Sequence, residues 1–200
     1  MRFTALFFSA AAYLAVNVAA QCNQTGAAPG QNFIGSTPSQ RHVIDSQQAN
    51  AIISAAAAEA SSANLPSNIA VTDPSGNLVA FLKTDNAFPG STDISIRKAK
   101  TVGLFNGIYT TGALYNITQP GTALYSAQYT NGGLVVFGGG LPVYVNGYFI
   151  GAVGVSGGTA EQDVQVATAG VNAIGPVPDW VVTENPFSLV TGQAACGSSA

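Results

Sequence analysis

The sequence predicts an α+β fold, a single domain in which an antiparallel sheet is flanked by helices. Three observations carry this. Asn146-Gly147 stands between apolar runs and supplies the positive φ angles of a two-residue hairpin turn. Asp73-Pro74-Ser75-Gly76 joins a second pair of runs with proper turn residues. Asp45 with Gln48, and Thr159 with Gln162, read as capping boxes that open helices outside these strand pairs. Strands in runs with helices between them argue against a doubly wound parallel sheet.

Taken in order, residues 21–41 are rich in Gly, Pro, Ser and Gln and read as an extended arm. A helix follows from Asp45 to about Ala63, with Ala49, Ile52, Ile53, Ala56 and Ala60 on its apolar face, and its alanines predict a closely packed neighbour. Residues 67–72 and 77–83 form the first hairpin. Phe88-Pro89-Gly90 is a loop, Ser91 or Thr92 caps the next helix, and Ile94, Lys98, Thr101, Val102 and Phe105 fall on one stripe of it. Residues 110–131 read as irregular or briefly helical. Strands are expected over 134–137, 141–145 and 148–156, then a helix from Thr159 to about Ile174. The last residues, 175–200, with Pro176, Pro178, Pro186 and Trp180, read as a tail wrapped over the body.

Residues 1–20 read as a signal peptide: Arg2, an apolar run from Phe3 to Val16 too short to span a bilayer, and Val18-Ala19-Ala20 before the cut. A secreted product is therefore expected, with no membrane segment after processing. Cys22 and Cys196, the two cysteines, stand near the two ends and are expected to pair in an oxidising compartment. Such a bond would be worth about 3 to 5 kcal/mol in the chain-entropy model; two reactive thiols are the alternative reading. Asn23-Gln24-Thr25 and Asn116-Ile117-Thr118 are glycosylation sequons, with Asn116 expected in a polar loop. Without Arg2 the chain keeps five basic and nine acidic residues, so it lacks the basic patch that nucleic acid requires. Six of these charges lie between Lys83 and Lys100.

The inventory excludes several chemistries. Glycines before the Thr159 helix suggest an anion cradle, but no Gly-Lys-Ser/Thr follows, and Glu161 and Asp163 repel phosphate. One histidine, His42, cannot anchor a zinc site, so no metal centre is expected. Ser156 in Gly-Val-Ser-Gly-Gly is only a loose echo of a nucleophile elbow.

Several motifs occur in order. They are Val71-Thr72-Asp73 with Gly76-Asn77-Leu78, Phe81 with Lys83 and Asp85, Lys98-Ala99-Lys100-Thr101, Gly139-Gly140-Leu141-Pro142, and the unbroken run from Gly151 to Asp163. Over residues 42–174 the chain thereby resembles the GlcG/HbpS family, a haem-degrading or haem-binding domain also found at the C-terminus of PduO-type proteins. The resemblance implies a profilin-like fold and often a ring-like or stacked homo-oligomer. Family members are associated with haem, with corrinoids or with no defined ligand. A haem iron takes His, Cys, Met or Tyr; here the processed chain has no Met, its cysteines are expected to pair, His42 at the entrance to the first helix reads as a surface or capping residue, and tyrosine ligation stays open although no tyrosine is singled out by a partner arginine and histidine.

That inventory favours a cofactor-free enzyme that orients a small, planar, conjugated hydrophobic molecule in an apolar pocket for cyclisation or cycloaddition. In this the chain is similar to fungal hetero-Diels–Alderases of secondary metabolism, which join a tropolone-derived quinone methide to a terpene. Lys83, Asp85, Arg97 and Lys98 are the acid, base or oxyanion-binding candidates, and Tyr125, Tyr129 and Tyr144 the candidate pocket walls. Lys98 and Asp163 have an equal claim to be a buried pair that locks the fold. The alternative function is a non-catalytic module for haem or another tetrapyrrole, and a third reading is a structural surface protein.

Overall fold

The computed structural model of the protein describes residues 41–178 and Val181. The signal peptide, the arm over residues 21–40, Cys22, Asn23, Trp180 and Cys196 lie outside the described residues. The elements are α1 (Ser46–Ser62), β1 (Asn68–Thr72), β2 (Leu78–Leu82), α2 (Ser91–Leu104), α3 (Thr111–Ile117), a 3-10 turn (Ala127–Tyr129), β3 (Gly140–Val145), β4 (Tyr148–Ser156) and α4 (Ala160–Asn172). The four strands make one antiparallel sheet in the order β2-β1-β4-β3.

Both turns form for the expected reasons. Asn146 and Gly147 adopt φ of 51° and 81°, closing β3 onto β4 with Val145 opposite Tyr148. Gly76 adopts φ of 80°, and the Asp73 carboxylate accepts from the Ser75 and Asn77 N–H groups. Both capping boxes are complete.

Strand alternation divides the core. Ile69, Val71, Val143, Val153 and Val155 pack against Ile52 and Ala56 of α1 and Val166 and Val171 of α4. The α1 alanines meet the close neighbour they predict, for a Cβ on Gly170 of α4 would stand 3.2 Å from the Ala56 Cβ. On the other face, Ala99 and Val102 of α2 pack with Tyr144, Phe149, Ala152 and Val181. Here α2 lies almost on the strand: a Cβ on Gly154 would stand 2.0 Å from the Ser95 carbonyl oxygen.

Four expectations need correction. Residues 134–137 form no strand; Val135 N–H donates to the Thr101 hydroxyl (3.1 Å) instead of to a neighbouring strand. The first residue of α2 is Ser91, with Gly90 at the N-cap and no side-chain cap bond. The Ser91 hydroxyl donates to Phe88 O, and Asn68 Nδ2 holds that hydroxyl at 2.9 Å and the Thr92 hydroxyl at 3.1 Å. Of the expected stripe on α2, Lys98, Thr101 and Val102 are buried as expected, but Ile94 and Phe105 are only half-buried, and Ser91, Ser95, Ala99 and Gly103 complete the buried face because close approach to Gly154 demands small residues. Asn116 lies in the last turn of α3, not in a loop.

Candidate functional site

Lys98 reaches from α2 to the start of α4. Its Nζ donates to Asp163 Oδ2 at 2.6 Å and to Val155 O at 2.7 Å, and the Phe137 ring lies 4.9 Å away. Asp163 Oδ1 accepts from Gly158 N–H at 3.0 Å. Gly139, at φ 116°, is required here twice over: its backbone is left-handed, and a Cβ on it would stand 2.7 Å from Lys98 Nζ. Burial pulls the Lys98 ammonium below the usual lysine range, opposed by the hydrogen bond and charge of Asp163. Burial also pushes the Asp163 carboxyl up, opposed by Lys98 and by the Gly158 and Gly157 N–H groups. The pair joins α2, β4 and α4, and it lines neither of the clefts described below.

The other nominated acid and base groups do not converge on it. Arg97 bonds Asp93 Oδ2 at 2.6 Å and the carbonyl oxygen of Gly132, tying α2 to the turn at 132. Lys83 is exposed beyond β2. Asp85 lines a cleft of ≈ 240 Å³ with Ser61, Asn64 and Thr84, away from the buried pair. The tyrosines separate likewise. Tyr125 and Tyr129 are 55% and 79% exposed, whereas Tyr144 is buried against Phe149 with its hydroxyl 3.3 Å from Gly107 O. Burial pushes the Tyr144 phenol well above its ordinary value. Tyr144 is a core residue and lines neither of the two clefts described here.

A second cleft, of ≈ 300 Å³, opens between α3, β3 and α4 and is lined by Thr110, Gly112, Leu141, Val164, Thr168 and Asn172, with Pro176 and Val177 closing one side. Neither cleft contains a His, Cys, Met or Tyr side chain. Among the described residues no three His, Cys, Asp or Glu side chains cluster as metal ligands, and no helix is long and apolar enough to cross a membrane.

His42 has a neighbour that the sequence did not single out. Its exposed imidazole packs on Tyr148, with ring centroids 4.1 Å apart and planes at 51°. Ile44 N–H donates to Ile150 O at 2.8 Å, in the part of β4 that extends beyond its pairing with β1. That bond lays the entrance of α1 along the sheet and brings position 42 beside 148. Tyr148, directly after the Asn146-Gly147 turn, was the available signal.

Residues 44–172 match the family described as haem-degrading protein HbpS-like. The chain belongs to the HbpS-like family. Within it, the chain is 47% identical over 107 residues to an uncharacterized 15.0 kDa protein of Citrobacter freundii from the dhaT-dhaS intergenic region, a match spanning 53% of this chain and 74% of that one. The crystal structure of Klebsiella pneumoniae ORFY, assigned to DUF336, is similar with a TM-score of 0.64 and 36% identity over 68% of this chain and 94% of that one. The crystal structure of a PduOC–haem complex is similar with a TM-score of 0.62 and 28% identity, over 66% and 95% of the two chains. The α+β fold with helices on both faces of an antiparallel sheet is thus the fold of this HbpS-like family.

Proposed function

We propose that this HbpS-like chain binds haem or a related tetrapyrrole without catalysis, at its surface, through His42. The observation that carries the reading is the exposed His42 imidazole resting on the Tyr148 ring. The donor chemistry fits the group: the imidazole has no hydrogen-bond partner among the described residues, and the neighbouring Val43 is 63% exposed, so apolar surface adjoins it. Bound haem would supply an iron that takes an imidazole nitrogen as axial ligand. His42 would hold the iron, and Tyr148 would orient the imidazole by packing on it. Family membership and the likeness to a haem complex of PduOC support the ligand class. The exposed Tyr115, Tyr125 and Tyr129, each more than half open to solvent, support self-association as a homo-oligomer.

Titration with haemin tests this. A saturable one-to-one Soret shift is expected, lost in His42→Ala and weakened in Tyr148→Leu, with both variants melting close to the parent. An unaltered Soret shift in His42→Ala overturns the site, and a shift lost in Tyr129→Phe instead moves it to that exposed phenol.

Cycloaddition by a cofactor-free site has less support, since Lys83, Asp85, Arg97 and Lys98 stand in separate environments and, of the two clefts described, Asp85 alone of the four lines one.

A further inference from the structure

We infer that the cleft between α3, β3 and α4 is a second binding site, for a small apolar molecule carrying one hydroxyl or carbonyl group. The cleft's ≈ 300 Å³ lies at the lower end of small-molecule sites. At about 30 Å³ per water-sized group, it has room for roughly ten non-hydrogen atoms, the size of a monoterpenoid or a naphthol. A tetrapyrrole is far too large for it, so its occupant differs from the ligand proposed for His42.

Its chemistry follows from which polar groups are already used. Leu141, Val164 and Val177 give apolar walls. The Thr168 hydroxyl donates to Val164 O at 2.7 Å, and the Thr110 hydroxyl accepts from Ala113 N–H at 3.1 Å. The Asn172 carboxamide, exposed at the rim of the cleft at the end of α4, makes no hydrogen bond among the described residues and offers both a donor and an acceptor. With no charged side chain in its lining to meet an acid, a phosphate or an amine, the cleft favours a neutral molecule, whose hydroxyl or carbonyl group the Asn172 carboxamide can meet at the rim. Pro176 and Val177 form a wall of the cleft.

Gly112 makes the site testable. A Cβ there has Gly138 Cα as its nearest neighbour at 3.6 Å, an ordinary contact, so a larger side chain at this lining position can be introduced without a clash at its Cβ. With the full chain and 2-naphthol as the probe, emission from the neutral form should rise saturably to one site per chain and fall on addition of menthol. Gly112→Leu and Val164→Phe should each weaken 2-naphthol at least tenfold, and Asn172→Ala should weaken it several-fold while leaving naphthalene unchanged. Haemin titrations of the same variants should match the parent, separating this site from His42. Non-saturable binding, or equal 2-naphthol affinity in both filled variants, overturns the inference.

Discussion

Lys98 Nζ and Asp163 Oδ2 stand 2.6 Å apart with their side chains 0% and 3% exposed, joining the middle of α2 to the first turn of α4. The ammonium's other bonded partner is Val155 O, and the carboxylate also holds Gly158 N–H, so each charge is met by hydrogen bonds beyond the pair. A pair so enclosed gains little over an apolar substitute, yet removing one member strands the other. Lys98→Met should therefore destabilise the protein by about 3–5 kcal/mol. Lys98→Met with Asp163→Leu should recover most of that loss. Urea unfolding of the full double-mutant cycle measures the coupling, and additive single effects would contradict the lock.

Gly154 carries a second prediction. Its missing Cβ lets Ser95 and Ala99 rest on β4, with a Cβ there standing 2.0 Å from the Ser95 carbonyl oxygen and 2.6 Å from Ala99 N. These are backbone atoms in a helix, so rotamer changes cannot relieve the clash. Gly154→Ala should cost at least the roughly 1–3 kcal/mol usual for overpacking. Equal melting temperatures for Gly154→Ala and the parent would refute the close approach.

Features governed by neighbours in the chain were legible in the sequence. Asp45 and Thr159 cap their helices through residues three positions on, and Asn146-Gly147 turns through its own φ angles. Residues 134–137 were misread because apolar character is shared by strands and buried loops; Thr101, far away in sequence, takes the Val135 N–H. The stripe on α2 was right at Lys98, Thr101 and Val102 and wrong at Ile94 and Phe105 for a similar reason: the helix is seated by Gly154, a residue whose effect is the absence of a side chain. Charge density between Lys83 and Lys100 suggested one site, but helical rotation sends Arg97 outward and Lys98 inward although they are adjacent. The contact between His42 and Tyr148 depends on the segment before α1 returning to β4, which no local pattern encodes.

Tyr144 should give the folded protein an alkaline limit. Its ordinary pKa is 10.0, and burial raises it in the native state. A raised pKa contributes stability that is fully present below the unfolded value and is lost as pH rises from about 10 towards the higher native value, because the unfolded chain releases the proton first. Tyr144→Phe removes that contribution and costs about 0.5–1.5 kcal/mol at neutral pH for the hydroxyl's bond to Gly107 O. Urea unfolding at pH 8 and pH 11 should show the parent losing more stability than Tyr144→Phe over that interval. Equal losses would mean that the phenol ionises as easily folded as unfolded.

Asn116 offers a test of secretion that depends on folding. Its side chain is exposed in the last turn of α3, while Thr118, which completes the sequon, is 3% exposed and donates its hydroxyl to Leu114 O at 2.9 Å and Tyr115 O at 3.1 Å. With that hydroxyl bonded back into the helix, the folded sequon does not present Asn and Thr together to a transferase. Any glycan there must be added to the emerging chain before α3 forms. Expression through a eukaryotic secretory pathway should give protein whose mass falls on glycosidase treatment, and Asn116→Gln should remove one step of that fall. Unglycosylated protein, purified folded and then exposed to the transferase, should stay unmodified at Asn116, whereas urea-unfolded protein should accept the glycan. Equal modification of the folded and unfolded chains would show that α3 opens readily, and an unchanged mass after secretion would remove Asn116 as an acceptor.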